Sequence, residues 1–269
     1  MDAYVAKTED RRRFIWELLA RLGVAKRVQE AQRILVKPNI VSHESYPTTT
    51  HPDVLSVCLE FLAQYHKEVI VADGPAFDAG NSKVILDQHP LRKVCDGFNI
   101  PLIDLTSEEM TTIVTKSGMK LKVAKIAFDY DFIISLPVLK SHRICYFTGA
   151  LKNQFGFFSK GERVRLHLGT NIFRAIAEVN DVIKPGLFII DAVETLIGSN
   201  EIRHGGASAK LGYMLGGTDP LKLDVFGLHL LGQIDPRLKG KHYQDIPYLA
   251  CAADLAIGDP QAQPLYLQV

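Results

Sequence analysis

The segment LPVLKSHRICYFTGALKNQFGFF, residues 136–158, places reactive side chains directly after an apolar run. His142 lies ten residues before Lys152, and His167 follows that lysine by fifteen residues. Histidine exchanges protons near neutral pH, and a desolvated lysine amine is a nucleophile. We therefore predict that His142 and Lys152 are catalytic. They could equally bind a phosphate or carboxylate, and a solvated surface role for the lysines is the alternative.

The same segment contains residues suited to hold a ligand. Lys140 precedes His142, Gly149 lies among small residues that let a backbone approach a ligand closely, and Asn153 follows Lys152. The aromatic residues that come next are typical of a pocket wall or a core contact. We predict that these three residues bind the ligand.

Further polar residues end other short apolar segments. Ligands of open parallel α/β sheets bind beyond the carboxyl ends of the strands. If the strands are neighbours, these residues share one edge of the sheet, although turn chemistry alone also favours Asp, Asn and Gly. The residues predicted to bind ligand on this basis are Lys37, Asn39, Asp73, Gly74 and Asp191.

The stretch SYPTTTHPD, residues 45–53, leads into a predicted helix. Thr49 or Thr50 can cap that helix, and its first-turn N–H groups favour an anion. Both threonines are therefore predicted ligand residues. His51 is predicted either as an acid/base group over the pocket or as an ordinary first-turn surface residue.

The elements that must position these residues alternate along the chain. Apolar strands are predicted at 33–41, 68–76, 100–105, 130–139 and 187–193, with helices over 51–66, 82–98, 169–186 and 219–232. Pro90 is predicted to divide the second helix into two short ones, and Asp219 is predicted to cap the last, with Pro220 at its first position. This rhythm predicts an α/β fold with a mainly parallel sheet flanked by helices. A β-hairpin insertion is predicted at 111–126 around Ser117-Gly118, and a further strand at 209–220. We expect a single domain over 1–269, with two lobes, 1–130 and 131–269, around a cleft as the alternative.

Composition excludes several classes of function. The chain has 269 residues and a net charge of +1, which does not favour bulk nucleic-acid binding or an anionic membrane surface. Its four cysteines are dispersed without a CxxC pair, so we expect no intrinsic iron–sulfur cluster and predict free thiols in the cytoplasm. The basic patches GMKLK and KGERVR are interpreted as solvated faces. No apolar run is long enough to span a membrane.

Successive blocks of the sequence resemble the family catalogued as domain of unknown function 362. The blocks are ILVKPNIV, TTTHPDV, IISLPVLKSH, TGALKNQFG, the histidine of VRLHLG, FIIDAVETLIGS and LGGTDPLKLDVFGLHLLG. They occur in order from about residue 33 to 260. Many members of that family carry ferredoxin-type cysteine clusters within their own chain. This chain has none, so the resemblance implies that an iron–sulfur protein could be its partner.

The segment around Lys152 is also similar to one in the nickel-pincer lactate racemase family. Thr148-Gly149-Ala150-Leu151-Lys152 stands where that family has Ser-Gly-Gly-x-Lys. The similarity implies that Lys152 carries a nickel-type cofactor, that His142 is an acid/base group and that His167 binds the metal. The sequence departs from the pattern at Ala150 and where Asn153-Gln154-Phe155-Gly156 replaces an apolar-Pro-Gly run.

Two hypotheses of function follow. The first is an enzyme, racemase-like or redox-associated, acting on a small anionic substrate. The second is a non-catalytic protein that binds an anionic metabolite or serves an iron–sulfur partner. Self-association is compatible with both, and neither the substrate nor the reaction follows from the residues.

Overall fold

The computed structural model describes residues 2–169 and 171–269 and is organised around one large mixed sheet. Twelve strands are found in this part of the chain: β1 (Ala3–Lys7), β2 (Arg33–Pro38), β3 (Glu68–Asp73), β4 (Leu102–Asp104), β5 (Met110–Val114), β6 (Lys120–Ala124), β7 (Phe132–Leu136), β8 (Lys140–His142), β9 (Tyr146–Thr148), β10 (Leu187–Ile197), β11 (Ala207–Gly217) and β12 (Leu265–Tyr266). Eight of them form the main sheet, in the order β12-β1-β11-β10-β7-β2-β3-β4.

Most of the sheet is parallel. The run β10-β7-β2-β3-β4 is parallel throughout, whereas β11 pairs antiparallel with both β10 and β1. The prediction of a mainly parallel α/β sheet is therefore confirmed. Strands that precede residue 130 and strands that follow residue 131 belong to the same sheet. The division of the chain into domains or lobes stays a prediction.

Ten α-helices cover the two faces of this sheet in the described residues. They are α1 (Arg11–Arg21), α2 (Val24–Glu30), α3 (Pro52–Ala63), α4 (Ser82–Gln88), α5 (Pro90–Gly97), α6 (Ala150–Asn153), α7 (Lys160–Leu168), α8 (Ile172–Val182), α9 (Pro220–Gly232) and α10 (Pro247–Asp254). Helices α1 to α5 pack with one hydrophobic core, and α6 to α10 with the other. Burial on both faces explains the continuous apolar strands, since parallel sheets are covered on both sides.

Local sequence explains where several helices begin. Asp219 caps α9 by accepting the backbone N–H of Lys222 at 2.9 Å, and Pro220 occupies its first turn, as predicted. Pro90 separates α4 from α5, also as predicted. Helix α8 begins at Ile172, and Thr170 of the helix predicted over 169–186 lies outside the described residues.

Two small hairpins complete the fold. Strands β5 and β6 form the predicted insertion, with Gly118 at φ 83° in its turn. Strands β8 and β9 form a second hairpin directly after β7, and α6 follows it. The short strands β8 and β9 did not show as strand patterns in the sequence, and β1 and β12 at one edge of the main sheet were also missed. Each is too short, or too polar, for a periodic signal.

Candidate functional site

A cavity of about 360 Å³ lies beyond the carboxyl ends of β2, β3 and β7. Nine of the predicted site residues line it: Lys37, Asn39, Asp73, Gly74, Lys140, His142, Lys152, Asn153 and His167. Residues from β2 to α7 therefore meet at one place, although they are up to 130 positions apart in the sequence. The lining contains five basic residues and three acidic ones, so it favours an anion.

The deepest lining residues form an ion pair. The Lys37 ammonium lies 2.6 Å from the Asp73 carboxylate, and both side chains are fully buried. The same carboxylate also accepts the backbone N–H groups of Ile40 and Gly74. Gly156 packs directly against this pair, since a Cβ there would lie 2.4 Å from Asp73 Oδ1. Burial lowers the pKa of Lys37 despite the attraction of its partner.

Arg163 of α7 contributes another buried cation. Its guanidinium donates to the backbone carbonyls of Phe158, Gly74, Pro75 and Gly156 at 2.6–2.9 Å. Burial lowers its pKa to about 10. The interpretation of KGERVR as a solvated face is therefore wrong for this residue. Arg163 was missed because its four acceptors are backbone carbonyls, two of them almost 90 residues away, which leave no pattern of residue types in the sequence.

Lys140 and Lys152 are buried lysines with different surroundings. The Lys140 amine donates to the carbonyl of Thr48, and burial lowers its pKa from 10.5 to about 7. The Lys152 amine has no hydrogen-bond or ion-pair partner among residues 2–169 and 171–269, and lies 4.0 Å from the centre of the Phe155 ring. Burial also lowers the pKa of Lys152, and nearby Arg163 acts in the same direction. A free, desolvated amine of this kind is nucleophilic.

Asp224 fixes the backbone of the short helix that carries Lys152. The Asp224 carboxylate, wholly buried on α9, accepts the backbone N–H groups of Ala150 and Leu151 at 2.6 and 3.0 Å. These contacts fix the start of α6, on which Lys152 lies. Gly149 was predicted to let a ligand approach the backbone, but the group that approaches is this carboxylate. A Cβ at Gly149 would lie 2.1 Å from Asp224 Oδ1.

His142 faces the cavity as a hydrogen-bond donor. Its Nδ1 accepts the backbone N–H groups of Ile144 and Cys145, both at 3.1 Å. Burial lowers its pKa well below the usual 6.5, and the neighbouring Lys152 adds to that effect. The neutral ring therefore carries its hydrogen on Nε2.

His167 has the opposite arrangement. Its Nδ1 lies 2.7 Å from the carbonyl oxygen of Arg163, and since a carbonyl can only accept, Nδ1 carries the hydrogen. The Nε2 lone pair is then left to act as a base or a metal ligand. The rings of Phe77 and Phe155 pack against the imidazole at 5.3 and 5.4 Å. Burial lowers the pKa of His167 as well.

Two amides at the cavity have unsatisfied acceptors. The Oδ1 atoms of Asn39 and Asn153 are buried and have no donor in the described part of the chain. The Asn153 amide nitrogen donates to Ser135 Oγ at 2.9 Å, which fixes the side chain. A buried acceptor without a donor costs about 1–3 kcal/mol, so such atoms mark places where a ligand or water donates.

Five predicted site residues do not line the cavity: Gly149, described above, and His51, Thr49, Thr50 and Asp191. Asp191 accepts from Arg11 Nε at 2.6 Å and from the Tyr46 hydroxyl at 2.9 Å. His51, rather than either threonine, caps α3 through Nδ1, so the predicted threonine cap is wrong.

The two threonines have structural contacts instead. Thr50 Oγ1 donates to Leu136 O and accepts from Asn39 N, both at 2.7 Å, which ties the ends of β2 and β7 together. Thr49 Oγ1 donates to Glu44 O at 2.9 Å. Polar side chains at strand ends thus join strands to loops as well as lining the cavity.

The rim of the cavity holds a group that the sequence did not reveal. Asp78, Glu201 and His204 place one ligand atom each within 4.8 Å of one another. Arg203 already pairs with both carboxylates, at 3.1 Å to Asp78 and 2.7 Å to Glu201. These contacts attach the loop after β10 to the loop after β3. Only the fold brings these two loops together.

Residues 34–229 match the family described as a domain of unknown function, DUF362. The chain belongs to the DUF362 family. The resemblance seen in the sequence is therefore confirmed, and it includes most of the cavity lining.

Two further proteins are similar to this DUF362 protein, one in sequence and one in fold. It is 25% identical over 221 residues to thylakoid-associated protein sll1697 of Synechocystis sp., covering 80% of this chain and 67% of that protein. Its fold is similar to that of the lactate racemase apoprotein from Thermoanaerobacterium thermosaccharolyticum, with a TM-score of 0.54 and 13% identity. The alignment covers 86% of this chain and 57% of the racemase, so the chain spans little more than half of that structure.

The four cysteines are free, as expected, and three of them are buried. Cys145 lies in the segment after β8, and burial raises the pKa of its thiol. Within the two described ranges, no helix is both long and apolar enough to cross a membrane.

Proposed function

We propose that this DUF362 protein is an enzyme that transfers protons to and from a small anionic substrate held in the cavity. The observation that carries the proposal is the free Lys152 amine beside two histidines of opposite tautomer. His142 offers an N–H donor, and His167 offers a lone pair. General acid–base catalysis requires one group that donates a proton to the substrate and another that accepts a proton from it.

The cations determine which substrates suit the cavity. The charge of Lys37 is balanced by Asp73, whereas the buried Arg163 guanidinium has only neutral backbone carbonyls as hydrogen-bond partners and so makes the potential positive. Lys140 retains two N–H donors beyond its contact with Thr48, and Lys152 retains all of its own. A carboxylate or phosphate group would bind to these amines, while a hydroxyl would satisfy the acceptor of Asn153 or Asn39.

A nickel-type cofactor fits the residues at two points. Lys152 offers a free amine for attachment, and His167 offers one imidazole lone pair, a ligand that nickel accepts. When bound, such a group would supply redox or Lewis-acid chemistry next to the substrate. His142 does not suit metal ligation here, because its Nε2 carries the hydrogen.

The proposal is tested by binding and exchange together. Thermal unfolding is followed with inorganic phosphate and with a set of small 2-hydroxy and 2-oxo carboxylates, and NMR follows the exchange of their C–H hydrogens with D₂O. We expect stabilisation by RT ln(1 + [L]/Kd) and exchange that is lost in His167→Ala. Lys160→Met, on the exposed first turn of α7, is the control for removing a positive charge.

Two results decide against this function. If no anion stabilises the protein, the cavity is not an anion site. If an anion binds, is never exchanged and still binds the His142→Ala variant, the protein binds a metabolite without catalysis. Metal analysis and intact mass of the purified chain report separately on the cofactor. The iron–sulfur partner, self-association and a cytoplasmic location stay predictions.

A further inference from the structure

We infer that Lys152 forms a reversible imine with a small carbonyl compound that also carries a carboxylate or phosphate group. This inference rests on the proposed function and names the substrate class of the same cavity. It also assigns the amine to the substrate rather than to a permanently attached group.

The first support is the unusual state of the Lys152 side chain. It is 9% exposed, yet no acceptor or carboxylate of the described chain reaches its nitrogen. The nitrogen lies over the face of the Phe155 ring. A buried lysine normally has a hydrogen-bond partner or an ion pair, because desolvating an unpaired ammonium is expensive. An amine without a hydrogen-bond or ion-pair partner is available as a nucleophile that attacks an electrophile.

Lys37 and Lys140 show that the cavity can satisfy a lysine when it has a structural role. Lys37 has a carboxylate partner, and Lys140 has a backbone carbonyl. The difference therefore lies at Lys152 and is not a general property of the cavity. Burial, reinforced by the cations of Arg163 and Lys37, favours the neutral amine.

The two histidines match the proton movements of imine formation. The amine nitrogen attacks the carbonyl carbon, a C–N bond forms, and the π pair of the C=O bond moves to oxygen. The Nε2–H of His142 can stabilise that oxygen by a hydrogen bond, and His167 Nε2 can take a proton from nitrogen and return it to oxygen. The oxygen then leaves as water with both amine hydrogens, and a C=N bond remains. No oxidant or reductant is consumed.

The anionic part of the substrate follows from the charges. The lining has five basic side chains against three acidic ones, and the acidic ones are already paired with Lys37 or with Arg203. Lys140 lies on the hairpin β8–β9 that also carries His142. Its spare donors would hold a carboxylate or phosphate while the carbonyl faces Lys152.

The test traps the imine on the wild-type chain, so it does not depend on whether a variant folds. The protein is incubated with pyruvate or with glycolaldehyde phosphate, reduced with sodium cyanoborohydride, and mapped by peptide mass spectrometry. We expect the adduct at Lys152 to exceed that at any other lysine at least about tenfold, because the site raises the effective concentration of the carbonyl. The yield at Lys152, divided for each probe by its yield at exposed lysines to correct for the different reactivity of aldehyde and ketone, shows whether the anionic group is a carboxylate or a phosphate.

Matched controls isolate each requirement. Lactate lacks the carbonyl and acetone lacks the anionic group, so lactate leaves no adduct and acetone leaves none above that of exposed lysines. Lys152→Met loses the adduct, whereas Lys160→Met keeps it. Lys140 serves as the internal comparison, since its amine is buried in the same cavity but is already bonded.

The outcomes separate this inference from the proposed function. If phosphate or pyruvate stabilises the protein but neither carbonyl probe labels Lys152 selectively, the imine is wrong and anion binding stands. If the untreated protein already carries a mass increment on Lys152, the amine holds a permanent group and the imine is again wrong. If no anion stabilises the protein, the proposed function itself fails.

Discussion

Two polar clusters, one around Asp191 within β10 and one beyond the ends of β2 and β3, differ in how completely their groups are paired. In the closed cluster, formed by Asp191, Arg11 and Tyr46, the carboxylate accepts from the guanidinium, from the phenol and from the backbone N–H of Val193. Arg11 also lies over the Tyr46 ring at 4.9 Å. Each member of the closed cluster is satisfied by the others, and none of them lines the cavity.

The cavity cluster, formed by Lys37, Lys140, Lys152, His142 and His167, is incomplete. It contains a free amine, an imidazole with a free lone pair and an imidazole that offers an N–H. Polar residues in strands or at their ends can therefore either stabilise the fold or remain available to bind a ligand. Which of these they do depends on whether their hydrogen bonds are already made.

The largest effect on stability should come from breaking the closed cluster. Asp191→Ala leaves the Arg11 guanidinium, which is 13% exposed, and the backbone N–H of Val193 without their carboxylate acceptor, while the Tyr46 hydroxyl keeps its contacts with the Glu194 backbone. Removing one partner of a buried ion pair costs roughly 3–5 kcal/mol, so we expect a loss of about 3 kcal/mol in urea unfolding. Lys152→Met should cost far less, because no partner is left behind. Equal losses for the two variants would show that the clusters do not differ in this way.

A smaller loss should come from disturbing the support behind Lys152. Gly149→Ala would push a methyl group into the Asp224 carboxylate and should cost about 2 kcal/mol, as for overpacking in a core. Gly161→Ala in α7 is the matched control, since nothing lies within 4 Å of its Cβ position and alanine favours a helix. Thermal unfolding of both variants gives the comparison. If Gly149→Ala is as stable as the wild type, Asp224 does not pack tightly against α6.

The third prediction concerns the stability cost of the cavity lysines. The folded pKa of Lys140 is about 7 and its ordinary value is 10.5, so between these values the unfolded chain binds a proton that the folded chain does not. Stability due to this group therefore rises with pH across that window. Lys140→Met should be more stable than the wild type at pH 6, by about 2 kcal/mol, and the advantage should shrink towards pH 10.

Urea unfolding at pH 6, 8 and 10 measures this advantage. The exposed Lys160→Met serves as its control for the loss of a positive charge. An advantage for Lys140→Met that stays constant with pH would show that Lys140 titrates like an exposed lysine.

Much of the fold could be predicted from the sequence, because its signals are periodic. The apolar strands β2, β3, β7 and β10 are buried on both faces, and the caps of α9 and the break at Pro90 are local features. The short hairpin β8–β9 could not be predicted, since a three-residue strand shows no alternation. It exists because the fold places Thr148 opposite Lys140.

The position of the candidate site could be predicted from the sequence. Which of its polar groups pair with one another could not. Strand ends indicated Lys37 and Asp73, but the same rule also selected Asp191, which lies in the closed cluster. Arg163 was missed because its partners are backbone carbonyls, and those of Gly74 and Pro75 are distant in sequence. The support from Asp224 was missed for the same reason, since its contact with α6 spans more than 70 residues.

The most direct test of this account is the reactivity of the three buried lysines. Trace acetylation of the native protein with acetic anhydride at pH 7.5, followed by peptide mapping, compares Lys37, Lys140 and Lys152 in one sample. We predict that Lys152 is labelled fastest of the three and that inorganic phosphate slows its labelling, because its amine is free and faces the cavity. Labelling of Lys152 that is no faster than that of Lys37 or Lys140, or that phosphate does not slow, would contradict the account.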